Sequence, residues 1–139
     1  MTRACRQIEL SVRTNTEDRP LLEALGILAA RGIDVVAHSL YADWNGLVLM
    51  VVTENAARAR CALEAADFKC ETNPVILVEA DAQVGAVASL GAQLYRAGVP
   101  IQYSHISTAN DEVCFAVFKT GDDDRALQAL GADALAQAV

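Results

Sequence analysis

Set over itself at an offset of 66 residues, the chain matches. RPLLEALGILAARGIDVVAHS (19–39) lies over GAVASLGAQLYRAGVPIQYSH (85–105), with Leu21 on Val87, Leu28 on Leu94, Gly32 on Gly98, Ile33 on Val99 and Val35 on Ile101. The match continues, with WNGLVLMVV over NDEVCFAVF, and ENAARARCALEAA has its counterpart in GDDDRALQALGA. A self-match at fixed period means one supersecondary unit made twice, which removes most other folds from consideration.

Periodicity supplies the unit. Leu21, Ala24, Leu25 and Leu28 recur at i, i+3, i+4 and i+7, as do Val87, Leu90, Gly91 and Leu94, the spacing of one helix face. Ile8, Leu10 and Val12, and later Val113, Phe115 and Val117, alternate as in a strand. DWNG and STAND provide turn residues for two hairpins. Asn55 suits the cap of a helix over 56–66, and one of Asp122 to Asp124 suits its counterpart. FKCET (68–72) is expected to close the first unit before PVILVEA opens the second. The expectation is an α+β fold: two ferredoxin-like βαββαβ units with antiparallel sheets and helices on one face, residues 1–72 and 73–139. No Gly/Ser-rich linker divides them, Asn73-Pro74 is the only seam, and so the two are expected to pack rigidly. A unit this small hides only about 60% of its unfolded surface, which also favours one folding body.

With 139 residues, 53% of them hydrophobic, and a net charge of −7, the chain can bury a core and remain in solution. Eleven scattered basic residues argue against nucleic acid and anionic membranes as partners. The opening MTRACRQIEL lacks the apolar run of a signal peptide, and no apolar stretch reaches membrane-spanning length, so a cytoplasmic location is expected. Cys5, Cys61, Cys70 and Cys114 lack a C-x-x-C spacing and read as reduced thiols, mostly packing as small apolar groups. Neither a metal nor a cofactor is implied. LVLMVV (47–52) is apolar on both faces, which implies cover on both, by the sister unit or another chain; a homo-oligomer, such as a dimer, is the expectation.

Two glycines bracket the third long helix. Gly98 follows its last periodic residue, as Gly32 does in the first unit, and reads as a left-handed C-terminal cap. Gly85 stands where strand turns into helix. A missing side chain there exposes the amides of Gly85, Ala86 and Val87, which can meet a carboxylate.

VGAVASLGAQLYRAGVPI resembles the signature of the ACT domain, a regulatory small-molecule-binding module: Gly-x-Leu, a helix with a later Leu, then Gly-Ile-Asn-Ile. Gly85, Val87, Leu94, Gly98, Val99, Pro100 and Ile101 occupy those positions; the first unit offers Arg19, Leu21, Leu28, Gly32, Ile33, Asp34 and Val35. The resemblance spans about 7–131, and the chain looks like the small stand-alone tandem-ACT proteins of bacteria. It implies an amino acid held at the junction of two units. The strand-to-helix loops Asp18 to Leu21 (with Arg19 and Pro20) and Ala82 to Val87 (with Gln83 and Val84) would face Asp34, Val35, Pro100 and Ile101. Arg19 replaces the loop glycine, and either blocks that loop or offers a guanidinium. Pro100 replaces the Asn and removes a donor. A composite site follows, with amides 85–87 for the carboxylate and Asp34 for the amine, unless Asp34 is merely a solvated strand start. Tyr103, Ser104 and His105 could line the same junction.

His38 and His105 are not repeat equivalents and carry no catalysis in this reading. Trp44 is either an exposed hairpin tip or an oligomer contact. The function implied is a non-catalytic sensor of an amino acid or similar metabolite. The alternatives are a structural oligomerisation module with a vestigial pocket and, with no visible nucleophile–base pair behind it, a small isomerase or lyase.

Overall fold

The repeat extends to details no alignment displays. The computed structural model describes residues 2–14, 19–130 and 133–134, and only the backbone of 19, 20, 133 and 134. In order, its elements are β1 (Arg3–Thr14), α1 (Arg19–Ala30), β2 (Val35–Asp43), β3 (Gly46–Thr53), α2 (Ala56–Ala65), β4 (Cys70–Asp81), α3 (Ala86–Arg96), β5 (Ile101–Thr108), β6 (Val113–Thr120), α4 (Asp123–Ala129) and β7 (Asp133–Ala134). The chain divides into two compact units, Ile8–Asn73 and Pro74–Ala138 with Met1–Gln7.

In the unit Ile8–Asn73 the strand order is β2-β3-β1-β4, with Cys70–Asn73 as its part of β4. Glu9 pairs Val52 and Thr14 pairs Leu47, antiparallel, and Val35 to Asp43 run against Thr53 to Gly46. Leu10 and Val12 of β1 and Leu49 and Val51 of β3 point to one face. There Leu21, Ala24 and Leu28 of α1 and Ala59, Ala62 and Leu63 of α2 cover them. Asn55 caps α2, its Oδ1 accepting from the Arg58 amide at 3.0 Å. α1 ends on Gly32 at φ +67, with the Ile33 amide donating to the Leu28 carbonyl, a left-handed cap that a side chain would strain.

In the other unit the order is β1-β4-β6-β5, with Arg3–Gln7 as its part of β1 and β7 pairing parallel to Arg3 and Ala4. Ile76 to Asp81 run antiparallel to Phe118 to Val113, and Thr120 to Cys114 against Ile101 to Thr108. Ile76, Val78, Ala80, Cys114, Ala116 and Phe118 form the covered face, beneath Leu90 and Leu94 of α3 and Ala126 of α4. Gly98 (φ +71) ends α3 with Val99 donating to Leu94, as Gly32 ends α1. The edge strands share an irregularity as well: register shifts fall at Val35/Ala37 in β2 and at Ile101/Tyr103 in β5. Both α+β units are therefore antiparallel sheets with helices on one face.

Two expectations change in detail. The short strand at 68–72 and the strand opening at Pro74 are one strand, β4, that runs through the proline. Proline's fixed φ suits an extended chain and costs only its N–H; the Pro74 carbonyl accepts from Lys119 Nζ at 3.0 Å. The second face of β3 is indeed covered, since every residue from Val48 to Thr53 is buried. That burial arises within the single chain, so it requires no other copy, and the argument from LVLMVV to an oligomer lapses.

Candidate ligand site at the start of α3

The loop after β4 is held by its own backbone. The Ala82 amide donates to the Glu112 carbonyl at 2.8 Å, and Gln83 to Asp81 at 2.9 Å. Glu112 belongs to a turn organised by Asn110, whose Oδ1 accepts from the Glu112 and Val113 amides. The chain then turns through Gly85 at φ +85, ψ −1, the N-cap of α3, with no side-chain cap. A Cβ built on Gly85 would meet nothing within 4 Å, so space is free but the backbone conformation itself demands glycine. The Ala86 amide donates to the Gln83 carbonyl at 3.1 Å and is committed to the turn. Of the three amides proposed from sequence, that one is therefore occupied. Val87 and Ala88 keep first-turn N–H groups without intrahelical acceptors, beside the positive end of the helix dipole.

Around this turn lies an open depression of about 290 Å³, lined by Thr2, Asp81, Gln83, Ser89 and Gln93 over an apolar floor of Ala80 and Leu90, with Val84, Gly85 and Ala86 at the rim. Ser89 and Gln93 share one side of α3, one turn apart, and Gln93 Nε2 donates to Ser89 Oγ at 3.3 Å. Among the described lining residues there is no lysine or arginine, so an anion there meets peptide, amide and hydroxyl hydrogens. Asp81 is the one carboxylate among the described lining residues. The volume is at the small end of ligand sites and suits a molecule of amino-acid size.

Of the residues proposed from sequence, Gln83, Val84, Gly85 and Ala86 gather here, and Val87 is next along the helix, partly exposed. Pro100 and Ile101 belong to the same unit but stand at the far end of its sheet. Asp81 is level with Val113, whereas Ile101 is level with Thr120, roughly 23 Å along β6 at about 3.3 Å per residue. Pro100 packs on Gly121, whose amide donates to the Pro100 carbonyl at 2.8 Å. Tyr103 and His105 are half-buried on β5, and Ser104 is exposed. Asp34, exposed, precedes β2 and Val35 starts it, in the other unit. Arg19 and Pro20 are described only as the first positions of α1, and Asp18 lies outside the described residues.

Thr2, Asp81, Ser89 and Gln93 were missed by the sequence reading. The i, i+4 polar pair beside Gly85 was the available signal; the contribution of Thr2 is tertiary and has none.

Trp44 is an exposed tip, 92% accessible, on a turn fixed by Asp43, which accepts from the Asn45 amide and from both terminal nitrogens of Arg13 at 2.8 and 2.9 Å. The three aspartates at the start of α4 are each engaged: Asp122 caps the helix, Asp123 accepts from Thr120 and Asp124 pairs with Arg6. Cys5, Cys70 and Cys114 are buried and Cys61 is exposed, all four as free thiols. Among the described residues no helix is long and apolar enough to cross a membrane.

Known structures share this architecture. The protein BT0572 from Bacteroides thetaiotaomicron superposes with a TM-score of 0.81 at 23% identity, over 92% of this chain and 88% of that one. The aspartokinase alpha and beta subunits superpose with a TM-score of 0.62 at 17% identity, over 91% and 93%. The ligand-free regulatory subunit of aspartate kinase from Thermus thermophilus gives 0.60 at 19%, over 91% and 89%. No protein-family model and no curated protein matches the sequence. The class defined is the tandem ACT fold. At these identities the likeness is one of fold.

Proposed function

We propose that the chain is a non-catalytic regulatory protein that binds a small amino acid or similar metabolite at the start of α3. The supporting observation is the small, open, polar depression formed where a side-chain-free turn enters the helix. The structural neighbours titled as regulatory subunits of aspartate kinase support a regulatory role of this type. In this reading the amides beyond Gly85 and the side chains of Gln83 and Gln93 meet the ligand carboxylate. Asp81 takes its ammonium, with Asp34 the alternative carboxylate from the sequence. The protein acts in the cytoplasm as a homodimer, and ligand is transmitted by its differential affinity for two arrangements of the assembly.

One observation favours a second reading, a structural module with a vestigial pocket: the left-handed backbone at Gly85 accounts for the glycine without any ligand. Calorimetric titration with the twenty amino acids decides between them. Micromolar binding is about −8 kcal/mol and gives measurable heat. It is expected to fall at least tenfold in Asp81→Asn and in Gln93→Leu, and to be unchanged in Asp34→Asn. Heat with none of the twenty amino acids favours the structural module.

A further inference from the structure

The hairpin between β2 and β3 carries an aromatic ring that its turn does not need. At the 66-residue offset Trp44 falls on Asn110 of the sister hairpin, where the Asn110 Oδ1 accepts from the Glu112 and Val113 amides and shapes the turn. In the first hairpin Asp43 does that work by accepting from the Asn45 amide, so the indole adds nothing to the turn. It stays 92% accessible, although burial is the usual use of so large an apolar surface. Leu40 and Tyr41, a few residues earlier on β2, are exposed as well. Tyr41 shares a cross-strand row with Val48 and Arg13.

The charges around this tip favour one sign. No lysine or arginine occurs between Arg31 and Arg58, a span that holds Asp34, Asp43 and Glu54. Arg13, which reaches the tip from β1, gives both terminal nitrogens to Asp43 and also feels the charge of Glu71. The face of an aromatic ring is itself negative, and indole is the best of the aromatic side chains at holding a cation. An uncovered indole among carboxylates attracts a cation and offers an anion nothing.

We propose that this hairpin docks a basic partner protein, with an arginine or lysine side chain of the partner laid on the face of Trp44. Charge complementarity selects the occupant: a chain of net charge −7 draws a basic surface and repels an equally acidic second copy. Tryptophan is also the residue type enriched where a few contacts carry most of a binding energy. Leu40 and Tyr41 offer apolar surface to the methylene stem of the incoming side chain. The turn is already held by Asp43 in the free chain, so little ordering of the tip is left to the moment of binding. Docking here needs no ligand at α3 and stands apart from the function proposed above.

The single tryptophan gives one indole N–H signal in a proton–nitrogen correlation spectrum of the full chain. At about 0.15 M salt, where distant charges are screened, hexa-arginine amide is expected to shift that signal saturably. Its hexa-citrulline analogue, similar in shape but neutral, is expected to leave the signal in place. Anisotropy of labelled hexa-arginine then compares variants. Trp44→Asn, which installs the sister hairpin's residue and keeps the net charge, is expected to bind about fivefold more weakly than wild type. Tyr95→Asn, an exposed aromatic of the other unit, is expected to bind as wild type does. An indole signal that hexa-arginine does not move overturns the proposal, as does a shift that the citrulline peptide reproduces. Undiminished binding to Trp44→Asn also overturns it, since overall charge would then suffice, and so does an equal loss in Tyr95→Asn. The indole shift is read on the wild-type chain, so the proposal can fail even if a variant does not fold.

Discussion

The unit Ile8–Asn73 and its sister built around Pro74–Ala138 keep the same frame and differ where α1 and α3 begin. In both, a polar residue three positions before an arginine caps the second helix: Asn55 for Arg58 and Asp122 for Arg125. In both, that arginine reaches the end of the first helix. Arg58 donates to the Arg31 carbonyl, and the Arg125 guanidinium lies 3.7 Å from a Cβ built on Gly98. The first turns part company. Leu21 is 1% exposed, whereas its repeat equivalent Val87 is 45% exposed, and α3 buries only Leu90 and Leu94. The conserved parts stop and cap helices; the altered part opens one. A repeat thus separates what the fold requires from what one copy has been freed to do.

The sharpest way to break the comparison is to truncate the equivalent pair. Leu21→Ala is expected to cost about 2–5 kcal/mol in urea unfolding, and Val87→Ala under about 1 kcal/mol. Similar costs would mean that the α3 turn is packed as tightly as that of α1. The caps should instead behave alike, Asn55→Ala and Asp122→Ala each losing about 1 kcal/mol. Unequal losses would show that the shared frame is only geometric. Gly26 lies within α1 with nothing within 4 Å of a built Cβ. Gly26→Ala should therefore stabilise by about 0.5–1 kcal/mol, while Gly32→Ala, at φ +67, should destabilise.

The smallest effect is electrostatic and belongs to one unit. Hydrogen bonding to the Arg13 guanidinium holds the Asp43 carboxyl below its ordinary range. A depressed carboxyl stabilises the fold above its unfolded pKa and loses that contribution as pH falls through the folded value. Wild type and Asp43→Asn should accordingly converge in Tm on acidification below about pH 4, starting from a small gap because the pair is exposed. Cys5 runs the other way. Burial raises its thiol pKa, so stability is full below the unfolded pKa and declines above about pH 8.5, as the unfolded thiol ionises first. Cys5→Ala should flatten that alkaline decline.

Much of the frame is legible in the residues, because local chemistry carries it. Helix periodicity, the Gly32 and Gly98 stops, the Asn55 cap and a cap among Asp122 to Asp124 each act within a few positions of chain. Continuity of β4 through Pro74 was not legible, since a proline at a composition seam looks like a break until the lost N–H proves dispensable. That both faces of β3 are covered was legible in LVLMVV, but the choice between cover from the same chain and cover from another was not, since it depends on tertiary packing. The site was half legible. Gly85 announces an exposed turn, but that the Ala86 amide is taken by Gln83, and that Thr2 joins the lining, depends on backbone geometry no spacing encodes.

The exposed hairpin tip has a practical consequence. Trp44 is the chain's single tryptophan, and water surrounds its indole. Its emission in the folded protein should already lie near that of the free amino acid, so unfolding moves it little. A blue shift on adding another macromolecule would mark something seated on that hairpin, giving this end of the molecule a built-in fluorescent reporter.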